Sequence, residues 1–170
     1  ESNRRNGPLI FANTKRMLCE DIEQTLFGLE NNDGVVVKMG LVEQAHQGTL
    51  YLDEICNLSE SLQSRLIRLL TENSYCRVNG KFNIDVNVRI ISATAKDLQI
   101  EIGKKKFSED LFYRLNVVSI EVPSLSERIE DIPVFIDYFL KVCSKNLGLP
   151  YRKISKDSYN LLQSLEWSGN

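Results

Sequence analysis

The run Gly48-Thr49-Leu50-Tyr51-Leu52-Asp53-Glu54 constrains the fold more than any other stretch of this chain. A short apolar core bounded by turn residues predicts a strand buried on both faces of a parallel sheet. Ligands in such sheets gather at the carboxyl ends of the strands, where Asp53 and Glu54 fall. Of two carboxylates in that place, the first can hold Mg²⁺ through its water shell. The second can polarise an attacking water, as ATP hydrolysis requires. Taken alone, the same pair serves equally well as a helix cap. A phosphate-cradling run G-x-x-x-x-G-K-[ST] does not occur. Gly80-Lys81 and Gly103-Lys104 lack both the earlier Gly and the following Ser or Thr. The residues therefore predict half of an ATP site.

At 170 residues the chain is about one domain long. Its 21 basic and 23 acidic residues leave a net charge of −2, so no global field favours nucleic acid or an anionic membrane. Basic clusters at Arg4, Arg5, Lys15 and Arg16, and at Lys104, Lys105 and Lys106, read as solvated faces. Cys19, Cys56, Cys76 and Cys143 show no C-x-x-C spacing, and His46 is the only histidine. That argues against zinc and disulfides and for reduced thiols in the cytoplasm, with His46 stabilising the turn before the strand. No apolar run approaches the roughly 18 residues of a membrane span, and no signal peptide is visible. Both ends, Glu1 and Trp167-Ser168-Gly169-Asn170, read as cut, as in a fragment of something longer.

Along the chain, residues 8–13 predict a short strand with Asn13 at its carboxyl end, and residues 19–27 a helix. Residues 28–40 predict a loop or hairpin turning at Asn31-Asn32-Asp33-Gly34, with Val35-Val36-Val37 as an apolar edge. After the strand at 48–53, Asn57 and Glu60 resemble a capping box, and Leu62, Leu66, Leu69 and Leu70 share one helical face. Asn79-Gly80 is a hairpin signal. Residues 86–94 predict another buried strand, Ser108 a cap for a helix with Leu111 and Leu115 facing inward, and residues 117–122 a strand stopped by Pro123. Beyond lie two helices, one starting near Pro133 and running to about Lys145, the other capped by Ser155 and running through Leu165. This is an α/β layer over residues 1–123 followed by a small helical piece over 124–170.

With those elements in order, five motifs carry a likeness: Leu26-Phe27-Gly28, the run from Gly48 to Ile55, Val88-Arg89-Ile90-Ile91-Ser92-Ala93-Thr94, Glu109-Asp110-Leu111-Phe112-Tyr113-Arg114-Leu115 and Trp167-Ser168-Gly169-Asn170. Together they resemble the central ATPase domain of sigma-54-dependent transcription activators, AAA+ proteins of the NtrC type. Gly40-Leu41-Val42-Glu43-Gln44-Ala45-His46 and Leu115-Asn116-Val117-Val118 look closest to the NtrX-like response regulators. The resemblance implies a P-loop NTPase-type parallel sheet followed by a helical lid, with ATP and Mg²⁺ as ligands. It implies Asp53 as the Walker B acid that organises Mg²⁺, and Glu54 as the residue that activates water. Asn13 matches the position whose amide restrains that glutamate. Thr94 sits where the family senses the γ-phosphate, and Arg114 matches one of two arginine fingers reaching into an adjacent subunit of a ring.

The departures are equally specific. On the family pattern the phosphate loop is expected upstream of Glu1 and the lid's sensor arginine after Asn170. Ser108 stands where the other finger arginine is expected, and a hydroxyl cannot replace a guanidinium. Gln47 replaces the usual small or acidic residue before Gly48. Residues 29–39 lack Gly-Ala-Phe-Thr-Gly-Ala, the sequence with which the family contacts sigma-54, which argues against sigma-54 remodelling. Two readings stay open. The first is an ATP-binding AAA+ segment of a two-component transcription regulator that assembles with itself. Such a regulator reaches DNA through a separate helix-turn-helix domain and a sensor kinase through a separate receiver domain. The second is a non-catalytic oligomerisation and regulatory module of a response regulator.

Overall fold

The computed structural model describes residues 2–15 and 19–167. Arg16, the side chain of Cys19 and residues 168–170 of the closing motif lie outside them. The chain divides into two units, Glu1–Val118 and Ser119–Asn170. In chain order the first holds β1 (Leu9–Asn13), α1 (Cys19–Phe27), β2 (Leu29–Glu30), β3 (Val36–Lys38), α2 (Leu41–Gln44) and β4 (Thr49–Asp53). There follow α3 (Glu60–Glu72), β5 (Ser74–Tyr75), β6 (Ile84–Asp85), β7 (Arg89–Ser92), α4 (Leu98–Gly103) and α5 (Glu109–Leu115).

The central sheet is parallel, in the order β1-β4-β7. Side chains alternate across a strand, and here the two faces differ. Ala12, Leu50 and Leu52 are fully buried in a core completed by Ile22, Leu26 and Phe27 of α1, Val42 of α2, Leu62, Leu66 and Leu69 of α3, and Leu111 of α5. On the other face Leu9 and Phe11 are 56% and 66% exposed. The expectation of a strand buried on both faces is thus corrected: β4 is buried on one face, and its other face is half-buried at Thr49, Tyr51 and Asp53.

Three further expectations change for identifiable reasons. Residues 117–122 form no strand, and Val117, Val118, Ile120 and Val122 are exposed. Strand backbone needs a ladder partner, and the central sheet ends at β7 without pairing to this segment. The run at 86–94 is a strand only over Arg89–Ser92, where it joins β4. That strand alternates between exposed and half-buried residues, so the expected buried strand is corrected. At Asn79-Gly80 a turn does form, with the Gly80 N–H donating to Arg77 O at 3.0 Å. The hairpin expected there is present: β5 and β6 pair antiparallel about this turn, Ser74 with Asp85 and Tyr75 with Ile84, while Val78 also bonds Gly28 O and Glu30 N of the neighbouring hairpin. The cap of α3 is Ser59, accepting from Leu62 N at 3.4 Å, with Glu60 in the first turn; Asn57 does not cap it.

The β2–β3 hairpin is fastened at its base. Gly28 has φ +79°, and a Cβ on Gly40 would lie 2.5 Å from the Phe27 carbonyl carbon, so two backbones meet where only glycines fit. Arg77 then bridges Glu30 and Glu43, each at 2.7 Å, and the Tyr75 O–H donates to Glu43 at 3.2 Å. Glu30 is buried and Arg77 nearly so.

In the second unit, α6 (Ile132–Leu147) carries Pro133 in its first turn and ends at Gly148 in the left-handed region. Ser155 caps α7 (Lys156–Gln163), which stops short of Leu165. Tyr159 O–H donates to Asp137 at 2.7 Å, joining the two helices. No helix among the described residues is long and apolar enough to cross a membrane.

Burial, with the Glu43 carboxylate beside it, holds the Tyr75 phenol well above its ordinary pKa of 10.0. Above pH 10 the unfolded chain loses this proton while the folded chain keeps it, so stability falls as pH rises. Urea midpoints measured from about pH 9 to pH 11 should decline, and Tyr75→Phe should flatten that decline. An equal decline in the variant would assign the loss to other groups.

Candidate functional site

The site is built where β1, β4 and β7 end. Because β1 and β4 pair in register, Asn13 stands opposite Asp53, and its amide donates to Asp53 Oδ2 at 2.7 Å. The family pattern puts this amide on the glutamate; here the bond falls on the first acid. Thr14, the next residue, is 2% exposed. Its hydroxyl reaches the carbonyl oxygens of Asp53 and Glu54 at 3.0 and 2.7 Å, and its N–H also donates to Asp53 O at 3.2 Å.

Those carbonyl bonds hold a strained residue. Glu54 has φ 55° and ψ 50°, a left-handed conformation that a residue with a Cβ enters at a cost of roughly 1–3 kcal/mol. Asn57 N–H donates to Glu54 O, and Ile55 N–H to Ala93 O at the end of β7. The turn is therefore fixed from three sides, and it takes the chain out of the sheet right after Asp53. Among the described residues the Glu54 carboxylate makes no hydrogen bond or ion pair. It is half-buried and open to a water or a ligand.

Thr94 lies two residues past β7, whose Ser92 is in register with Leu52. Its hydroxyl donates to Cys56 Sγ at 3.3 Å and accepts from Lys96 N–H at 3.0 Å. The structure thus gathers Asn13, Asp53, Glu54 and Thr94 at one edge of the sheet. Arg114 stands apart on α5, exposed, paired with Asp110 of its own helix at 3.1 Å. An exposed i,i+4 pair of this kind is worth only a few tenths of a kcal/mol, so Arg114 is readily released.

The helix carrying Arg114 is positioned by two residues. Ser108 caps it, accepting from Leu111 N at 3.4 Å. Gln63 of α3, 3% exposed, donates to Leu58 O and Lys106 O and accepts from Ser108 N–H at 2.7 Å. Sequence reasoning missed Gln63, Thr14 and Cys56, because the partners of each lie far along the chain. Gln63 gave one local signal, a polar residue beside the buried Leu62 on an apolar helical face. His46 accepts from Asn87 N–H at 3.4 Å, ahead of β4.

Among the described residues no group of three or more His, Cys, Asp or Glu is arranged to hold a metal. The donor set at β4 is instead two adjacent carboxylates. Hard oxygen ligands in that number suit Mg²⁺, which keeps most of its waters and shares the rest with a substrate phosphate.

Comparison with known proteins places this geometry. The sigma-54 interaction domain matches residues 1–121, and an AAA+ ATPase lid domain matches residues 126–170. The chain belongs to the sigma-54 interaction domain family. It is 42% identical over 169 residues to the nitrogen assimilation regulatory protein NtrX of Azorhizobium caulinodans, covering 99% of this chain and 37% of the relative. A putative NtrX-like response regulator of Rickettsia felis is 42% identical, covering all of this chain and 36% of the relative. Among solved structures, NtrX from Brucella abortus in complex with ATP matches with a TM-score of 0.93 at 40% identity, over 99% of this chain and 37% of that one. The chain thus spans a little over a third of the length of these relatives. Its fold is that of the family: an α/β part with a parallel sheet, followed by a helical lid.

If the Thr14 hydroxyl fixes the turn at Glu54, Thr14→Val should cost about 1–3 kcal/mol, since the one buried proton shared between the two carbonyls is lost. Thr14→Ser should recover most of it. Chemical denaturation of the three proteins checks this, and a Val variant as stable as the parent would remove Thr14 from the account.

Proposed function

We propose that residues 1–170 are the Walker B, sensor and arginine-finger portion of an ATP-binding AAA+ domain, with residues 1–123 as its α/β part and 124–170 as its lid part. The protein is an NtrX-like two-component response regulator of transcription that binds and hydrolyses ATP as a ring of copies in the cytoplasm. One observation carries the reading: at the end of β4 one carboxylate is oriented by an amide, while its neighbour, on a strained, clamped turn, is unbonded among the described residues.

Each residue has a task in that reading. Asp53, with one oxygen steadied by Asn13, would hold Mg²⁺, which would supply charge neutralisation to the phosphates of a bound nucleotide. Glu54 orients the attacking water and accepts its proton. Thr94 offers its hydroxyl to the terminal phosphate. Arg114 leaves its weak surface pair with Asp110 to reach the nucleotide of an adjacent copy, where a guanidinium offsets transition-state charge. DNA contact and phosphoryl signalling from a sensor kinase belong to a helix-turn-helix domain and a receiver domain outside these residues. Residues 29–39 do not carry Gly-Ala-Phe-Thr-Gly-Ala, which argues against remodelling of sigma-54 polymerase.

A second reading, a non-catalytic assembly module, is favoured by Ser108. Where a second finger arginine is expected, its hydroxyl caps α5 and its N–H is held by Gln63. The two readings differ at Glu54. When residues 1–170 replace the aligned stretch of Azorhizobium caulinodans NtrX, the chimera should bind ATP with Mg²⁺ and turn it over. Glu54→Gln should then lower turnover about a hundredfold or more while sparing binding. Unchanged turnover in that variant would leave the assembly reading standing. The 170-residue chain alone should show no saturable binding of a fluorescent ATP analogue, since it has no G-x-x-x-x-G-K-[ST] run to form a backbone nest. Binding abolished by Asp53→Ala would show that the site works without one.

A further inference from the structure

Cys56 sits in the short turn Ile55–Asn57 that follows Glu54. It is a free thiol, half-buried against the core. The Thr94 hydroxyl donates to its sulfur at 3.3 Å, and the same oxygen accepts from Lys96 N–H at 3.0 Å. A hydroxyl has one proton to give, and here it is given to sulfur. The spacing is set by the backbone: Ile55 N–H donates to Ala93 O at 3.1 Å, so residues 56 and 94 flank a bond that ties the turn to the end of β7. The side chains therefore meet whenever that bond is made.

We propose that Cys56 is a positioning residue for Thr94, its sulfur holding the proton that the terminal phosphate of a nucleoside triphosphate would take. The inference rests on the reading of Thr94 as the residue facing that phosphate. Sulfur is a weak acceptor and a phosphate oxygen a charged, strong one. The contact therefore keeps the hydroxyl in one rotamer when the site is empty and yields it when a triphosphate arrives. A diphosphate, having no terminal oxygen at that place, leaves the sulfur in possession. The contact thus subtracts from the preference for triphosphate over diphosphate that an uncommitted hydroxyl would give.

The test compares ATP and ADP affinities in the chimera described above. Cys56→Ala should raise the ATP-to-ADP affinity ratio about fivefold, the worth of one modest hydrogen bond. Cys56→Ser, which restores an acceptor, should return the ratio to its starting value or below. In a Thr94→Val background, Cys56→Ala should leave the ratio unmoved. A merely structural Cys56 would lower stability in the alanine variant without touching the ratio, and that result overturns the proposal. If Thr94→Val alone leaves the ratio unaltered, the reading of Thr94 fails instead. A second measurement needs no nucleotide. In the 170-residue chain with Cys19, Cys76 and Cys143 replaced by Ser, the S–H stretching band of Cys56 in the Raman spectrum should shift on Thr94→Val. An unshifted band would mean that the hydroxyl and thiol are not bonded in solution, which also overturns the proposal.

Discussion

The register of β1 against β4 is the constraint on which the site depends. Pairing Asn13 with Asp53 brings Thr14 level with the first residues beyond β4, and its buried hydroxyl closes on two successive carbonyls. A one-residue slip would turn every side chain of β1 to the opposite face. It would also move Asn13 off the acid and Thr14 off the turn. The same register sends Ala12 into the core beside Leu50 and Leu52. Apolar burial that fixes the sheet therefore also fixes the strained conformation of Glu54, and the strain is held by groups that the core has already placed.

A second constraint governs the part of the molecule farthest from the carboxylates in character. Arg77, Glu30, Glu43 and Tyr75 make a nearly dry network at the base of the hairpin. Buried ion pairs gain little net stability, because desolvation offsets most of the attraction, yet breaking one strands a charge. Such a network suits a task of placement. It fastens residues 29–39 to α2 and to the turn at Asn79 while leaving Val35, Val36, Val37 and Met39 exposed along the hairpin. The hairpin is thus a rigidly held element whose tip chemistry is free to differ from Gly-Ala-Phe-Thr-Gly-Ala without disturbing the site.

What the sequence made legible was local. Apolar runs ending in polar residues located β1 and β4, Ser108 and Ser155 announced their helices, and the five motifs identified the family. What it hid was pairing. Residues 117–122 alternate like a strand, but alternation supplies a face and no partner, and the segment remains unpaired. The apolar run at 86–94 gave no sign that only Arg89–Ser92 would join the ladder. Asn13, Asp53, Glu54 and Thr94 were found as residue types at strand ends. Thr14, Gln63 and Cys56 could not be, since a threonine, a glutamine and a cysteine declare nothing until tertiary contacts more than 35 positions apart along the chain are made.

Ser108 shows what a hydroxyl does at the start of α5, where the family resemblance leads one to expect an arginine. A guanidinium at that position would project from the start of α5, whereas serine turns back and satisfies one of the N–H groups that every helix start leaves unpaired. Gln63 takes the adjacent N–H, and its own two donors are satisfied by Leu58 O and Lys106 O, so the segment leading into α5 has its polar groups met. Arg114 is carried on the far turn of the helix so anchored. On the proposed reading, what Arg114 can reach depends on where α5 points, and the cap and the glutamine hold that helix at its start. On the same reading, Ser108 commits its hydroxyl to the mount of α5, and a ring built from this chain would carry transition-state charge on Arg114 alone.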